Sequence, residues 1–520
     1  MGFLKNIATV SMLTFLSRIL GFLRDVLIAA LLGAGSVADA FFVALKLPNF
    51  FRSLTAEGAF NAAFIPLFGR AVSEDGKSSA REFASSVLSV MILILFGFIS
   101  LTQIFMPFLM YAFAPGFSED PSRFNLAIDL TRITFPYLLF VSLVALLGGV
   151  LNSFNKFAAA ASTPIIFNVC LIGGLLILSP LVETPGHGLA WGVAIAGVVQ
   201  FLWLIIACRR IDMVFFLRWP RVTPQIKRLF KLVIPGAIGA GVIQINSLLG
   251  IFIASFLPAG AVSFLFYADR LTQLPLGVIG VAIGTVILPA LTRQISHGDH
   301  VSALETMNRS IELGLVFSVP AGLGLLFLSS PIVELLFQRG AFDVATSKAT
   351  ALALSAYAPG LPAYFMIKVL APGFFARGDT VTPVKIAGLC VMGNLILSII
   401  FVQFFDHVGI ALATSISAWV SVALLLGALT RREFLKIDGR LGWSLLGIFL
   451  SSAGMLVGLF LGRWVITNTF SDTFFEKCVA LGVLIITCIF VYGLIAVLTG
   501  VVSLSKIKDF KRENGDYLDP

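Results

Sequence analysis

Ser17-Arg18-Ile19-Leu20-Gly21-Phe22-Leu23-Arg24-Asp25 lies near the middle of an apolar run, Ala8 to Leu32, that is long enough to cross a bilayer. Two arginines and an aspartate in such a place are costly. A charge at the centre of a spanning helix is disfavoured by roughly 3 kcal/mol or more, so it faces a protein or water-lined interior and marks a functional path. The next apolar stretch, Ala38 to Phe68, repeats the pattern with Asp39, Lys46, Arg52 and Glu57. Two neighbouring spans that both carry internal cations predict a cationic cavity inside a membrane protein, and therefore an anionic cargo.

The rest of the chain agrees with a polytopic class. Of 520 residues, 58% are hydrophobic and 12% charged, whereas soluble domains carry about 25% charged residues. The longest polar stretch is the segment around 208–232, too short for a soluble domain. Cys170, Cys208, Cys390, Cys478 and Cys488 lie in or beside apolar spans, without disulfide or metal-like spacing. His187, His297, His300 and His407 are scattered near span ends. No metal, cofactor or catalytic residue is expected. The apolar N-terminal run continues without a signal-peptide cleavage pattern. A net charge of +9 would fit nucleic acid, but the basic residues cluster in short loops between spans, which is an orientation signal in a membrane protein.

Apolar windows give about fourteen spans. They cover 8–32, 37–68, 84–113, 124–152, 160–181, 187–208, 232–257, 261–292, 309–337, 346–376, 384–405, 408–430, 441–467 and 477–504. The basic loops follow even-numbered spans: Arg70, Lys77 and Arg81; Arg209 to Lys231; Arg293; Arg431, Arg432, Lys436 and Arg440; and the tail from Lys506 to Arg512. Apart from Arg123 and Arg339, the other loops are neutral or acidic. Both termini are thereby placed in the cytoplasm.

The sequence also repeats at an offset near 224. Phe64-Ile65-Pro66-Leu67-Phe68-Gly69-Arg70 matches Ile287-Leu288-Pro289-Ala290-Leu291-Thr292-Arg293, Pro107 and Gly116 match Pro331 and Gly340, and Pro136 corresponds to Pro359. The reading is an all-α protein of two six-helix pseudo-repeat lobes around a central cavity. Lobe 1–208 and lobe 232–430 are joined by a basic linker, 209–231. Two further helices, 431–504, and a cytoplasmic tail, 505–520, follow. Parallel repeats of this kind are characteristic of transporters.

Positions seven apart share a helix face. Ser17, Gly21 and Arg24 form one stripe of the first span, with Arg18 and Asp25 on an adjacent one. Asp39 and Lys46 share a face of the second span, followed by a bend at Pro48 and by Asn49, Arg52 and Glu57. The second lobe opens similarly, with Ser263, Asp269, Arg270 and Gln273 before Pro275. Guanidinium forks hold phosphate oxygens bidentately and stay charged in a low dielectric, so Arg24, Arg52 and Arg270 suit a diphosphate. The competing reading pairs Arg18 or Arg24 with Asp25 and Arg270 with Asp269, as locks between helices. Arg18, nearest the cytoplasmic end, is the best candidate for such a lock. Asp39 and Glu57 are either partners of the cations or coupling carboxylates. Arg132 and Lys368 are secondary cavity candidates, and Asn168, Gln244, Asn246 and Asn394 read first as helix-to-helix hydrogen bonders.

With these residues in view, the chain resembles the MurJ (MviN) family of the multidrug/oligosaccharidyl-lipid/polysaccharide (MOP) exporter superfamily. The resemblance is carried by Ser17 to Asp25, by Ala38-Asp39-Ala40-Phe41-Phe42-Val43-Ala44-Leu45-Lys46-Leu47-Pro48-Asn49 with Arg52, by Ala56-Glu57-Gly58-Ala59-Phe60, by Tyr267-Ala268-Asp269-Arg270-Leu271 and by Lys368 to Phe374. It implies a fourteen-span inner-membrane flippase of lipid II, the undecaprenyl-diphosphate-linked peptidoglycan precursor, and not an enzyme. The implied partners are lipid II, membrane lipids and cell-wall synthesis proteins, without nucleic acid. Arg18, Arg24, Arg52 and Arg270 correspond to required cavity cations, with Asp39 as a required carboxylate and Ser17, Asn49 and Ser263 as polar cavity positions. Gln273 stands where some members have glutamate, so no carboxylate is essential there. The family's proposed sodium coupling is not carried over, because spans seven and eleven lack a mid-span carboxylate. The last two spans correspond to the family's hydrophobic groove for the lipid tail. The alternatives are a sibling flippase for another polyprenyl-linked glycan, a drug antiporter and, more distantly, a polyprenyl-diphosphate glycosyltransferase. A cationic interior disfavours the antiporter, and the lack of a loop with clustered catalytic carboxylates disfavours the enzyme.

Overall fold

Helix starts follow the chain's polar punctuation. Asp120 accepts from the backbone N–H groups of Ser122 and Arg123 and is followed by Pro121. Thr184 and Thr223 do the same ahead of Pro185 and Pro224, and Asp299 caps the helix that begins at His300. A capping oxygen satisfies an orphan N–H, and proline at the first helical position loses no bond. The computed structural model describes residues 2–55, 59–217, 219–220, 223–469 and 473–501.

These residues fold as two compact units, one of 1–264 with 339–346 and one of 265–338 with 347–520. The first contains α1 (Gly2–Leu32), α2 (Ser36–Thr55), α3 (Ala59–Glu74), α4 (Gly76–Ile104), α5 (Met106–Phe113), α6 (Pro121–Thr134), α7 (Tyr137–Ser153), α8 (Phe157–Ala161), α9 (Thr163–Gly173), α10 (Pro185–Arg209) and α11 (Pro224–Ala254). In this unit α2 packs on α6 and α11, α7 on α10 and α4, and α1 on α9. Its interior is aromatic: Phe41, Phe64, Phe68, Phe117 and Phe135 are fully buried.

Helix α12 (Ala261–Ser296) starts in the first unit and continues into the second. The second unit goes on with α13 (His300–Phe327), α14 (Ser329–Phe337), α15 (Val344–Tyr357), α16 (Leu361–Phe375), α17 (Val381–Arg431), α18 (Gly439–Thr469) and α19 (Phe474–Leu498). One core joins Met307, Ile311, Val369, Phe374, Leu425 and Leu429; a second joins Val316, Met455, Leu484 and Tyr492. The pair α18–α19 is tied to α13 and α14 by polar contacts too. Arg309 pairs with Glu312 and Asp438, Ser444 donates to Glu312 at 2.8 Å, Tyr492 donates to the Val316 carbonyl at 2.8 Å, and Lys477 reaches Glu334 at 2.8 Å.

Among the described residues, nine helical segments are long and apolar enough to cross a membrane. Leu93, Phe96, Ile104 and Phe108 on α4–α5, and Ile486, Ile489 and Phe490 on α19, present large apolar side chains outward. Such a surface suits lipid, where the helix satisfies its own backbone polar groups. The windows 384–405 and 408–430 both lie on α17, which breaks its helical geometry only at Asp406 (φ 47°). The window 37–68 is divided between α2 and α3.

Candidate functional site

The stripe of Ser17, Gly21 and Arg24 faces α9. Arg24 is buried and donates from Nε and Nη2 to Asp25 Oδ1 at 3.0 and 2.7 Å, and from Nη1 to Asn168 Oδ1 at 3.0 Å. Asn168 in turn donates from Nδ2 to the Ser17 carbonyl at 3.0 Å. Gly21 leaves the room this amide occupies, since a Cβ there would come to 3.4 Å from Nδ2. The Phe167 ring lies 5.9 Å from the guanidinium carbon. An arginine buried in an apolar helix is thus held by one carboxylate and one amide, which fix the plane of its fork. Arg18 lies on an exposed face of the same helix.

Asp39 anchors a second constellation in the first unit. It is 0% exposed. Its Oδ1 accepts from Ser263 N at 2.8 Å and Ser263 Oγ at 2.5 Å; its Oδ2 accepts from Gly260 N at 2.7 Å and Arg123 Nη2 at 2.6 Å. Asp39 and Ser263 are 224 residues apart, the offset of the sequence repeat. Arg123 is also buried; it donates from Nη1 to the Leu257 carbonyl at 3.3 Å, and its guanidinium carbon stands 3.8 Å from the centre of the Phe117 ring. In the sequence Arg123 stands only as an exception among the neutral loops. Its signal was its place in the first turn of a capped helix, close to an aromatic residue.

The remaining candidates fall as follows. Lys46, Asn49 and Arg52 are partly buried along α2, with Asn49 donating to the Leu45 carbonyl at 2.8 Å. In the second unit Asp269 accepts from Gln273 at 2.6 Å, and the Arg270 guanidinium lies 4.9 Å from the Phe266 ring centre. Glu57 is outside the described residues. Arg132 and Lys368 are exposed, and Asn394 is buried, accepting from Ser398 at 3.5 Å. The first unit therefore joins Ser17, Arg24, Asp25 and Asn168 in one network and Asp39, Arg123, Gly260 and Ser263 in another.

Comparison with known proteins covers nearly the whole chain. The family model described as "Lipid II flippase MurJ" matches residues 28–480. A probable lipid II flippase MurJ of Rhizobium tropici is 39% identical over 516 residues, covering 98% of this chain and 96% of the relative. One from Vibrio cholerae is 38% identical over 459 residues, 87% of each chain. A solved lipid II flippase MurJ in an inward closed conformation superposes with a TM-score of 0.78 at 30% identity, covering 94% of this chain and 98% of that one. An inward-facing multidrug transporter of the MATE family in the MOP superfamily has the same fold, with a TM-score of 0.65 at 14% identity, covering 80% and 95% of the two chains. The chain belongs to the lipid II flippase MurJ family.

Proposed function

We propose that this protein is a membrane transporter, not an enzyme, and that it flips lipid II from the cytoplasmic to the outer leaflet of the bacterial inner membrane. The observation that carries the reading is family membership across residues 28–480, in a chain whose apolar helices contain arginines. Fourteen spans, both termini in the cytoplasm and two pseudo-repeat lobes are the topology that fits the basic loops. The diphosphate is bound by Arg24, Arg52 and Arg270, with Arg18 beside its path. Ser17, Asn49, Lys46, Glu57 and Asp269 serve as polar cavity or gating groups.

The geometry around Arg24 supports a specific order of events. Asp25 occupies the fork that a phosphate would take, so diphosphate binding exchanges one anionic partner for another instead of creating a bare charge. Asn168 holds Nη1 and keeps the fork aimed. The lobes then alternate access while the polyprenyl tail remains in lipid beside α18 and α19. A net cationic interior also couples to the inside-negative potential, at about 2.3 kcal/mol per charge per 100 mV. The test is depletion of the protein followed by a leaflet assay for labelled lipid II, with rescue by wild type and not by Arg24→Ala, Arg52→Ala or Arg270→Ala. Rescue by all three variants sinks the arginine assignment. Unchanged lipid II with accumulation of another lipid-linked sugar favours a sibling flippase.

A further inference from the structure

Two glycines related by the repeat offset sit where a loop meets a helix end, backbone against backbone. Gly116, between α5 and α6, donates its N–H to Ser255 Oγ at 3.0 Å. A Cβ on Gly116 would lie under 3.0 Å from the Ser255 carbonyl group and the Phe256 nitrogen. Gly340, at φ +58°, meets the Ala30 carbonyl in the same way, and the next N–H, that of Ala341, donates to the Ala30 oxygen at 2.8 Å. Gly33, at φ +65°, returns the contact on the Ala341 carbonyl. All these residues belong to the first unit. In the repeat's numbering, Ala30 in the last turn of α1 and Ser255 at the C-terminal cap of α11 belong to the first helix of their own halves, while Gly340 and Gly116 lie in the loop after the third span of the opposite halves. The contacts are reciprocal: each half's loop caps the other half's helix end.

We propose that these two contacts are a pair of backbone latches that hold this end of the transporter shut, and that both part during each transport cycle. The inference rests on the flippase reading. Glycine is required because the neighbouring atoms are backbone, which cannot yield to a side chain as a flexible rotamer would. Neither latch contains a charge, so their closure does not depend on salt or pH. The charged network is adjacent, since Arg123 and Asp39 hold Leu257 and Gly260 in the turn that follows Ser255 and Ser263 in the first turn of α12. Without the latches the turn is anchored at one end only.

The test uses the full-length protein in lipid nanodiscs, with its five cysteines changed to serine. One reporter, Val262→Cys, is 5% exposed beside the turn; a second, Ala80→Cys, is 0% exposed in α4. A water-soluble maleimide reads the opening rate of each. Ser255→Ala is expected to speed labelling at position 262 about fivefold, the effect of one lost hydrogen bond. Gly116→Ala and Gly340→Ala should speed it about tenfold or more, with the position 80 reporter unchanged. Unchanged labelling at position 262 in both glycine variants overturns the proposal. Should the glycine variants also expose position 80, Ser255→Ala decides: no change at 262 overturns the latches, and a rise confined to 262 supports them. Labelling needs no substrate, so its failure leaves lipid II flipping standing, and loss of flipping in the leaflet assay leaves the latches standing.

Discussion

Arg123→Met leaves the Asp39 carboxylate, 0% exposed, without the cation that faces its Oδ2. Breaking a buried pair from one side costs about 3–5 kcal/mol, because the remaining charge is uncompensated. Three hydrogen bonds from Gly260 and Ser263 stay on the carboxylate, which puts the expected loss near the lower end, about 3 kcal/mol. Asp39→Asn is milder. Arg123 keeps the Leu257 carbonyl and the Phe117 ring face, and a cation over an aromatic ring retains about 1–2 kcal/mol when desolvated. We expect a loss of about 2 kcal/mol for Asp39→Asn. The double variant removes both charges and should cost no more than the Arg123 single, giving a coupling of about 2 kcal/mol, within the range for residues in one network. Equilibrium unfolding in mixed micelles with increasing SDS measures all three variants against wild type. If the single effects add, within about 0.5 kcal/mol, Asp39 and Arg123 are not an energetic pair and the reasoning fails.

Asn168→Ala removes the amide that holds Arg24 Nη1 and should lower flipping about tenfold or more in the leaflet assay without loss of membrane insertion, since a hydrogen bond to a charged group contributes about 1.5–3 kcal/mol. Arg24→Gln should lower unfolding stability along with flipping because the side chain is buried in a network, whereas Arg18→Gln, on an exposed face, should leave stability within about 0.5 kcal/mol; equal stability losses would contradict the placement of the two arginines. Asp379, in the turn before α17, has its carboxyl pushed down to about 2, first by hydrogen bonds from Thr382 and then by Arg432. A depressed folded value means that its contribution is complete above the ordinary carboxylate range and is lost as pH falls through about 2. Asp379→Asn should therefore flatten the acid limb of a stability-against-pH curve by lowering stability at pH 7, while wild type and variant converge as pH falls toward 2.

Residue type carried much of the fold. Long apolar windows find helices because a bilayer leaves few other ways to satisfy backbone groups, and the described residues of these windows lie mainly in helical segments. Windows do not see helix ends. α1 begins at Gly2, six residues before its apolar run, and α12 continues to Ser296, because a helix leaving the membrane turns polar without unwinding. The division between 384–405 and 408–430 rests on the backbone of Asp406, whose positive φ no hydropathy profile records. Periodicity placed Ser17, Gly21 and Arg24 on one stripe, but not what that stripe faces. Asn168, 144 positions from Arg24, supplies the answer, and a lone intramembrane amide reads only as a generic hydrogen bonder. Arg123 is illegible in the sequence for the same reason. Its partner Asp39 is 84 positions away, and a cation near a span end looks like any other loop charge until the tertiary contact is known.

Asp39 hydrogen-bonds the residue that corresponds to it in the other half of the sequence. In a symmetric dimer of two separate half-length chains, such a position on the two-fold axis would meet its own copy. Two aspartates there would repel, and two serines would offer no charge to hold a buried arginine. Fusing the halves into one polypeptide frees the axial position from that identity. One copy can then be a carboxylate and the other a hydroxyl donor, a pairing that a gene encoding a single half cannot specify.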